Sequence, residues 1–193
     1  MAAAHWTEIL DFWFAPPDSP EHGRPRASWF QKSDAFDTEI RERFLATHEA
    51  ARDGALDAWR ARPLSALALA VALDQFPRNL FRGDPRAFAA DASALGVARE
   101  MVAAGFDRVL LPVQRCFAYL PFEHAEDLAA QRESLQLFGS IADGPDGAST
   151  FTYAMRHYAV IERFGRFPHR NAILGRSSTT GELDFLRQPG SSF

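Results

Sequence analysis

The stretch Pro63-Leu-Ser-Ala-Leu-Ala-Leu-Ala-Val-Ala-Leu-Asp74 decides the fold class. A proline heads it, where a first helical turn needs no backbone N–H. Leu64, Leu67, Val71 and Leu73 follow within a run of alanines, a composition that favours helix. No segment of the chain shows the polar–apolar alternation of a half-buried strand. Val and Ile are scarce beside Ala, Leu and Phe, which points the same way.

Helical periodicity continues on both sides. Trp6, Ile9, Leu10 and Trp13 recur at three- and four-residue spacing, and the four prolines of Ala15–Arg26 mark a loop. Ser33 or Asp34 can cap a long helix that turns Phe36, Ile40, Phe44 and Leu45 inward and ends at Gly54. Asp84-Pro85 predicts a helix running to Ala104 and stopped by Gly105. Pro112 opens a short helix ending near Pro121, and another is expected over 125–141. Asp143–Gly147 reads as a turn, and Ser149 or Thr150 as the cap of a helix carrying Tyr153, Tyr158 and Ile161. Helices over 169–174 and 179–186 close the fold, with 188–193 as a frayed tail. The expectation is an all-α protein of about nine helices in one domain, residues 1–193.

Bulk properties exclude several function classes. A formal charge of −4 lacks the basic footprint of a nucleic-acid binder. No apolar run is long enough for a membrane span, and the N-terminal residues lack the pattern of a signal peptide. A lone cysteine, Cys116, rules out an internal disulfide and fits a reducing cytosol. Lys32 is the only lysine, so Schiff-base chemistry and lysine-dependent phosphate loops have a single candidate.

Familiar motifs fail on spacing. In His48-Glu-Ala-Ala-Arg52 an arginine stands where a zinc protease needs its second histidine. None of the six histidines follows a glutamate by three positions, so the di-iron pattern is absent. No metal ligand set and no cofactor is expected. Gly175-Arg-Ser-Ser-Thr-Thr-Gly181 has the wrong spacing for a phosphate loop.

Three segments survive. Asp74, Arg78 and Arg82, at i, i+4 and i+8, can share one helical stripe beside Asn79, and Pro77 within it predicts a kink or restart. Glu123, His124 and Asp127 open a helix after Tyr119 and Phe122. There a carboxylate one turn from a histidine can orient a general base, although acidic residues also belong in a first turn as caps. His169, Arg170, Asn171 and Arg176 crowd cations and donors at a helix start, a setting for anions.

The segments LDQFPRNLFRGDPRAFAADASAL (73–95), RCFAYLPFEHAEDLAAQRESLQLF (115–138) and FGRFPHRNAILGRSST (164–179) closely resemble the bacterial domain of unknown function family 924, and SWFQKSDAFDTEIRERF (28–44) also fits it. The resemblance implies an all-helical, tetratricopeptide-like array of antiparallel pairs, although the tetratricopeptide signature itself is absent. It implies no established activity or cofactor.

Two expectations follow from the residues. The first is a cytosolic binding module for an anionic small molecule or peptide, with Arg78, Arg82, Arg170 and Arg176 as donors. Asp74, Asn79, Glu123 and Asn171 would orient, and Tyr119 and Phe122 would wall the pocket. The second is a metal-independent enzyme with His124 or His169 as base, oriented by Asp127 or Glu123. A third possibility, a structural interaction module, predicts polar side chains that saturate one another. The oligomeric state is not legible.

Overall fold

The computed structural model describes residues 3–144 and 147–192. Met1, Ala2, Phe193 of the tail, and Pro145 and Asp146 of the expected turn lie outside them. Among the described residues there are eight α-helices, five short 3-10 turns between them, and no strand: α1 (Trp6–Phe14), α2 (Asp34–Arg52), α3 (Pro63–Leu80), α4 (Asp91–Ala103), α5 (Pro112–Glu123), α6 (Leu128–Gly139), α7 (Gly147–Phe164) and α8 (Thr180–Leu186). The fold is all-α. The chain divides into two compact units, Met1–Arg82 with Arg86–Pro121, and Gly83–Pro85 with Phe122–Phe193.

In the first unit α3 is central, with every residue from Ser65 to Pro77 buried. A helix apolar on all sides is one that must be surrounded. Small alanines at 66, 68, 70 and 72 let α1, α2 and α4 pack closely on it. Asn79 at the end of α3 meets Asp37 at the start of α2, so these two run antiparallel. Asp91 at the start of α4 meets Arg78 near the end of α3, giving a second antiparallel pair.

Aromatic rings fill the remaining space. Trp13 packs edge-on against Phe76 and Phe117, at 5.7 and 5.6 Å between ring centroids. The proline-rich loop after α1 returns to close that helix. Arg26 donates to the carbonyls of Phe12 and Trp13, and the Trp29 indole N–H donates to Trp13 O at 3.0 Å. Carbonyls that a helix end leaves unsatisfied are thereby paired.

In the second unit α6 and α7 are antiparallel neighbours. Leu128 at the start of α6 packs against Val160 and Ile161 near the end of α7, with Phe167 beside them. Thr179 caps α8, and Glu182 completes a capping box while accepting two bonds from Arg166, at 2.7 and 2.8 Å.

Several helix ends depart from the sequence reading. Pro77 and Pro121 lie inside α3 and α5 and stop neither. Each stands in the last turn, where the lost N–H bond is single and the surrounding residues are buried. Asp84-Pro85 starts a 3-10 turn over Pro85–Phe88, and α4 begins only at Asp91. α7 begins at Gly147, ahead of Ser149 and Thr150, and Thr150 bonds back to Gly147 O from inside the helix. The expected helix over 169–174 is a 3-10 turn, Pro168–Arg170, followed by further turns, so the α-helices number one fewer than expected.

Candidate functional site

The site builds outward from the junction between α5 and α6. Asp127 is the N-cap of α6, its Oδ1 accepting from Ala130 N at 2.7 Å, so its structural role is capping. One turn on, the Gln131 amide donates back to the carbonyls of Glu123 (2.6 Å) and Ala125 (2.9 Å) and fixes the turn that carries His124.

The Glu123 side chain is buried and faces α7. His157 stands on the inward face of α7, in phase with Ala154 and Ile161. Its Nδ1 lies 2.9 Å from Tyr153 O and 3.1 Å from Glu123 Oε1, so the proton sits on Nδ1 and is directed at both oxygens. Burial, then the positive field of His124, lowers the His157 pKa to about 3; the Tyr153 carbonyl works the other way, and Arg170 and His169 add to the depression. The imidazole is therefore neutral at physiological pH, and its contact with Glu123 is a hydrogen bond from a neutral ring.

The third side comes from the segment after α7. Phe167 meets His157 edge-on at 5.5 Å and His169 at 5.6 Å. The Arg170 guanidinium lies 4.5 Å from the Phe167 ring centroid and donates to His124 O at 3.1 Å. The His124 and His157 rings are 6.2 Å apart. His157, His169 and Arg170 thus meet on one phenylalanine, and Glu123 and the His124 ring lie against His157. Arg170 and His157 are buried, while His124 and His169 are half-exposed. Among the described residues no three His, Cys, Asp or Glu side chains group closely enough to hold a metal ion.

A clamp holds this segment in place. Arg176 grips Glu126 through both carboxylate oxygens (2.6 and 2.9 Å) and donates to Asn171 Oδ1 at 3.0 Å and Phe167 O at 3.3 Å. Glu126 also accepts from Phe167 N at 2.7 Å. Although burial opposes it, Arg176 and this N–H hold the Glu126 carboxyl below its usual range. Asn171 donates to Ser178 at 3.0 Å. Arg176 and Asn171 are thus engaged in the architecture of the turn.

The remaining candidates belong to the first unit. Arg78 lies between Asp74 (3.3 Å) and Asp91, to which it donates two bonds of 3.0 and 3.1 Å. Burial works against its charge, but these two carboxylates hold its pKa above the usual value. The expected stripe is only half formed: α3 ends before Arg82, which turns to Asp37, as Asn79 does at 2.7 Å. Burial opposes ionisation of Asp37, yet Arg82 and Asn79 lower its pKa. Asn79 and Arg82 line an open hollow of about 330 Å³ with Lys32, Thr38 and Arg41. Tyr119 is buried and donates to Asp107 at 2.8 Å, and Phe122 is buried in the second unit.

Sequence reasoning missed His157, and the signal was available. A histidine at the core phase of an amphipathic helix needs a partner, and the buried Glu123 is that partner. Asp37 and Asp91, the partners of Arg82 and Arg78, lie 45 and 13 residues away in the chain, and no local pattern announces them.

The profile of the bacterial proteins of unknown function DUF924 matches residues 9–190. The chain is a member of the DUF924 family. A solved structure of a protein of unknown function, ATU0120 from Agrobacterium tumefaciens, shares 41% identity with this DUF924 protein. The alignment covers 94% of this chain and 96% of that one, with a TM-score of 0.82. No curated protein matches the chain. Among the described residues of this DUF924 protein, no helix is long and apolar enough to cross a membrane.

Proposed function

We propose that this protein is a binding module whose second unit takes a small anion, a carboxylate or phosphate group, at Glu123, His124, His157, His169 and Arg170. The observation that carries this reading is the gathering of His157, His169 and Arg170 on Phe167, with the His124 ring and the Glu123 carboxylate packed against His157. The field that lowers the His157 pKa is the field an incoming anion would offset. The Phe167 ring and His124 O hold the Arg170 guanidinium in place, and a guanidinium matches the geometry of a carboxylate or phosphate group. Arg78, Arg82 and Arg176 are held by carboxylates of the chain and serve the fold in this reading.

The antiparallel neighbours α2–α3 and α6–α7 support a tetratricopeptide-like arrangement, a scaffold suited to presenting ligand sites. The single buried cysteine supports a cytosolic setting. A second reading, a metal-independent enzyme, is favoured by the Glu123–His157 contact, the geometry that orients a general base. With a pKa of about 3, however, His157 is a weak base until a bound anion raises it. Binding therefore comes first in either reading.

The test is a thermal-shift series with phosphate, acetate and citrate on wild type and Arg170→Gln. A ligand at a hundredfold its dissociation constant adds about 2.7 kcal/mol of stability. An anion that stabilises wild type and not the variant supports the site. Equal shifts in both proteins, or none in either, count against it.

A further inference from the structure

The outer face of α7 carries a second feature, separate from the histidine site. Arg156 and Arg163 flank a hollow of about 400 Å³ floored by Val160, Phe164, Phe185 and Pro189. Phe164 and Phe185 are half-buried, with their rings 5.3 Å apart. The tail after α8 forms one wall, held by the Ser191 hydroxyl donating to Leu186 O at 3.1 Å.

Both arginines are exposed, and among the described residues neither forms an ion pair. Arg163 lies over the Phe164 ring at 4.7 Å and Arg156 over the Tyr153 ring at 5.4 Å, so each guanidinium rests on an aromatic face. Carboxylates near the rim have partners of their own: Asp184 pairs with Arg187, Glu182 with Arg166, and Glu162 accepts from Tyr158. The hollow thus joins an apolar floor to two unmatched cations.

We propose that this face docks an acidic peptide segment, with an apolar side chain in the hollow and a carboxylate on either side. Charge complementarity selects the acidic partner, and spacing selects its length. Seven residues on a helix place the two arginine Cα atoms about 10 Å apart along the axis. On an extended chain, side chains four positions apart share a face and lie about 13 Å apart, within reach of two long arginine side chains. The partner motif is therefore two acidic residues four positions apart with a large apolar residue midway, all three on one face of the extended chain.

Fluorescence anisotropy of full-length protein with fluorescein-labelled Gly-Asp-Ser-Phe-Ser-Asp-Gly tests the proposal. Saturable binding is expected. Replacing both Asp by Asn, or Phe by Ser, weakens it, and Arg156→Gln or Arg163→Gln each weakens it about fivefold. Both arginines are exposed and unpaired, so the variants fold. No saturable binding up to about 1 mM peptide, equal binding of the Asp and Asn peptides, or unchanged binding in both arginine variants would overturn it.

Discussion

Replacing His157 by glutamine keeps an N–H donor within reach of Tyr153 and Glu123 and removes the titrating ring. In the folded protein His157 has a pKa of about 3, against 6.5 when unfolded. The unfolded chain therefore binds a proton there first as the pH falls. Stability from the buried neutral ring is complete above pH 6.5 and is lost progressively between that value and the folded pKa. With these two pKa values, acidifying from about pH 7.5 to 5 costs on the order of 2 kcal/mol at this residue. His48, also lowered by burial, contributes in the same direction but equally in both proteins. Glu182, Glu126 and Asp37 have lowered pKa values, so their contributions are lost further into acid, from the usual carboxylate range downward. The window above about pH 5 is thus left to histidines. Urea melts followed by circular dichroism across it should show wild type losing stability more steeply than His157→Gln. Parallel pH dependences would refute the buried neutral histidine.

Other perturbations have defined outcomes. Arg78→Met leaves Asp74 buried without its partner guanidinium and should cost about 3 kcal/mol or more in denaturant melts. Thr179→Ala removes the cap of α8 and should cost about 1 kcal/mol while leaving α2 and α3 protected in hydrogen exchange. Ala70→Leu inserts volume into the face of α3 where its neighbours pack and should destabilise by about 1–3 kcal/mol.

Much of the fold was legible because helix ends obey local chemistry. Ser33, Pro63 and Thr179 start helices where the sequence places them, and Gly54 and Gly105 follow helix ends with φ of +79° and +69°. Pro77 and Pro121 were misleading because a proline in the last turn of a buried helix forfeits one bond, which packing outweighs. At the site, Glu123, His124, His169 and Arg170 were visible as polar residues among aromatics. The role of Arg176 was not, because its partner Glu126 lies 50 positions away and reads locally as an ordinary first-turn acid. His157 was hidden among surface-like neighbours, and only the burial of Glu123 makes its position significant.

The most direct measurement is the imidazole nitrogen spectrum of the labelled protein, recorded while phosphate and then citrate are titrated in. The chain has six histidines, and the account predicts saturable shifts confined to His124, His157 and His169, with His157 moving toward protonation. Weak, non-saturating shifts spread over all six would contradict an anion site around Phe167.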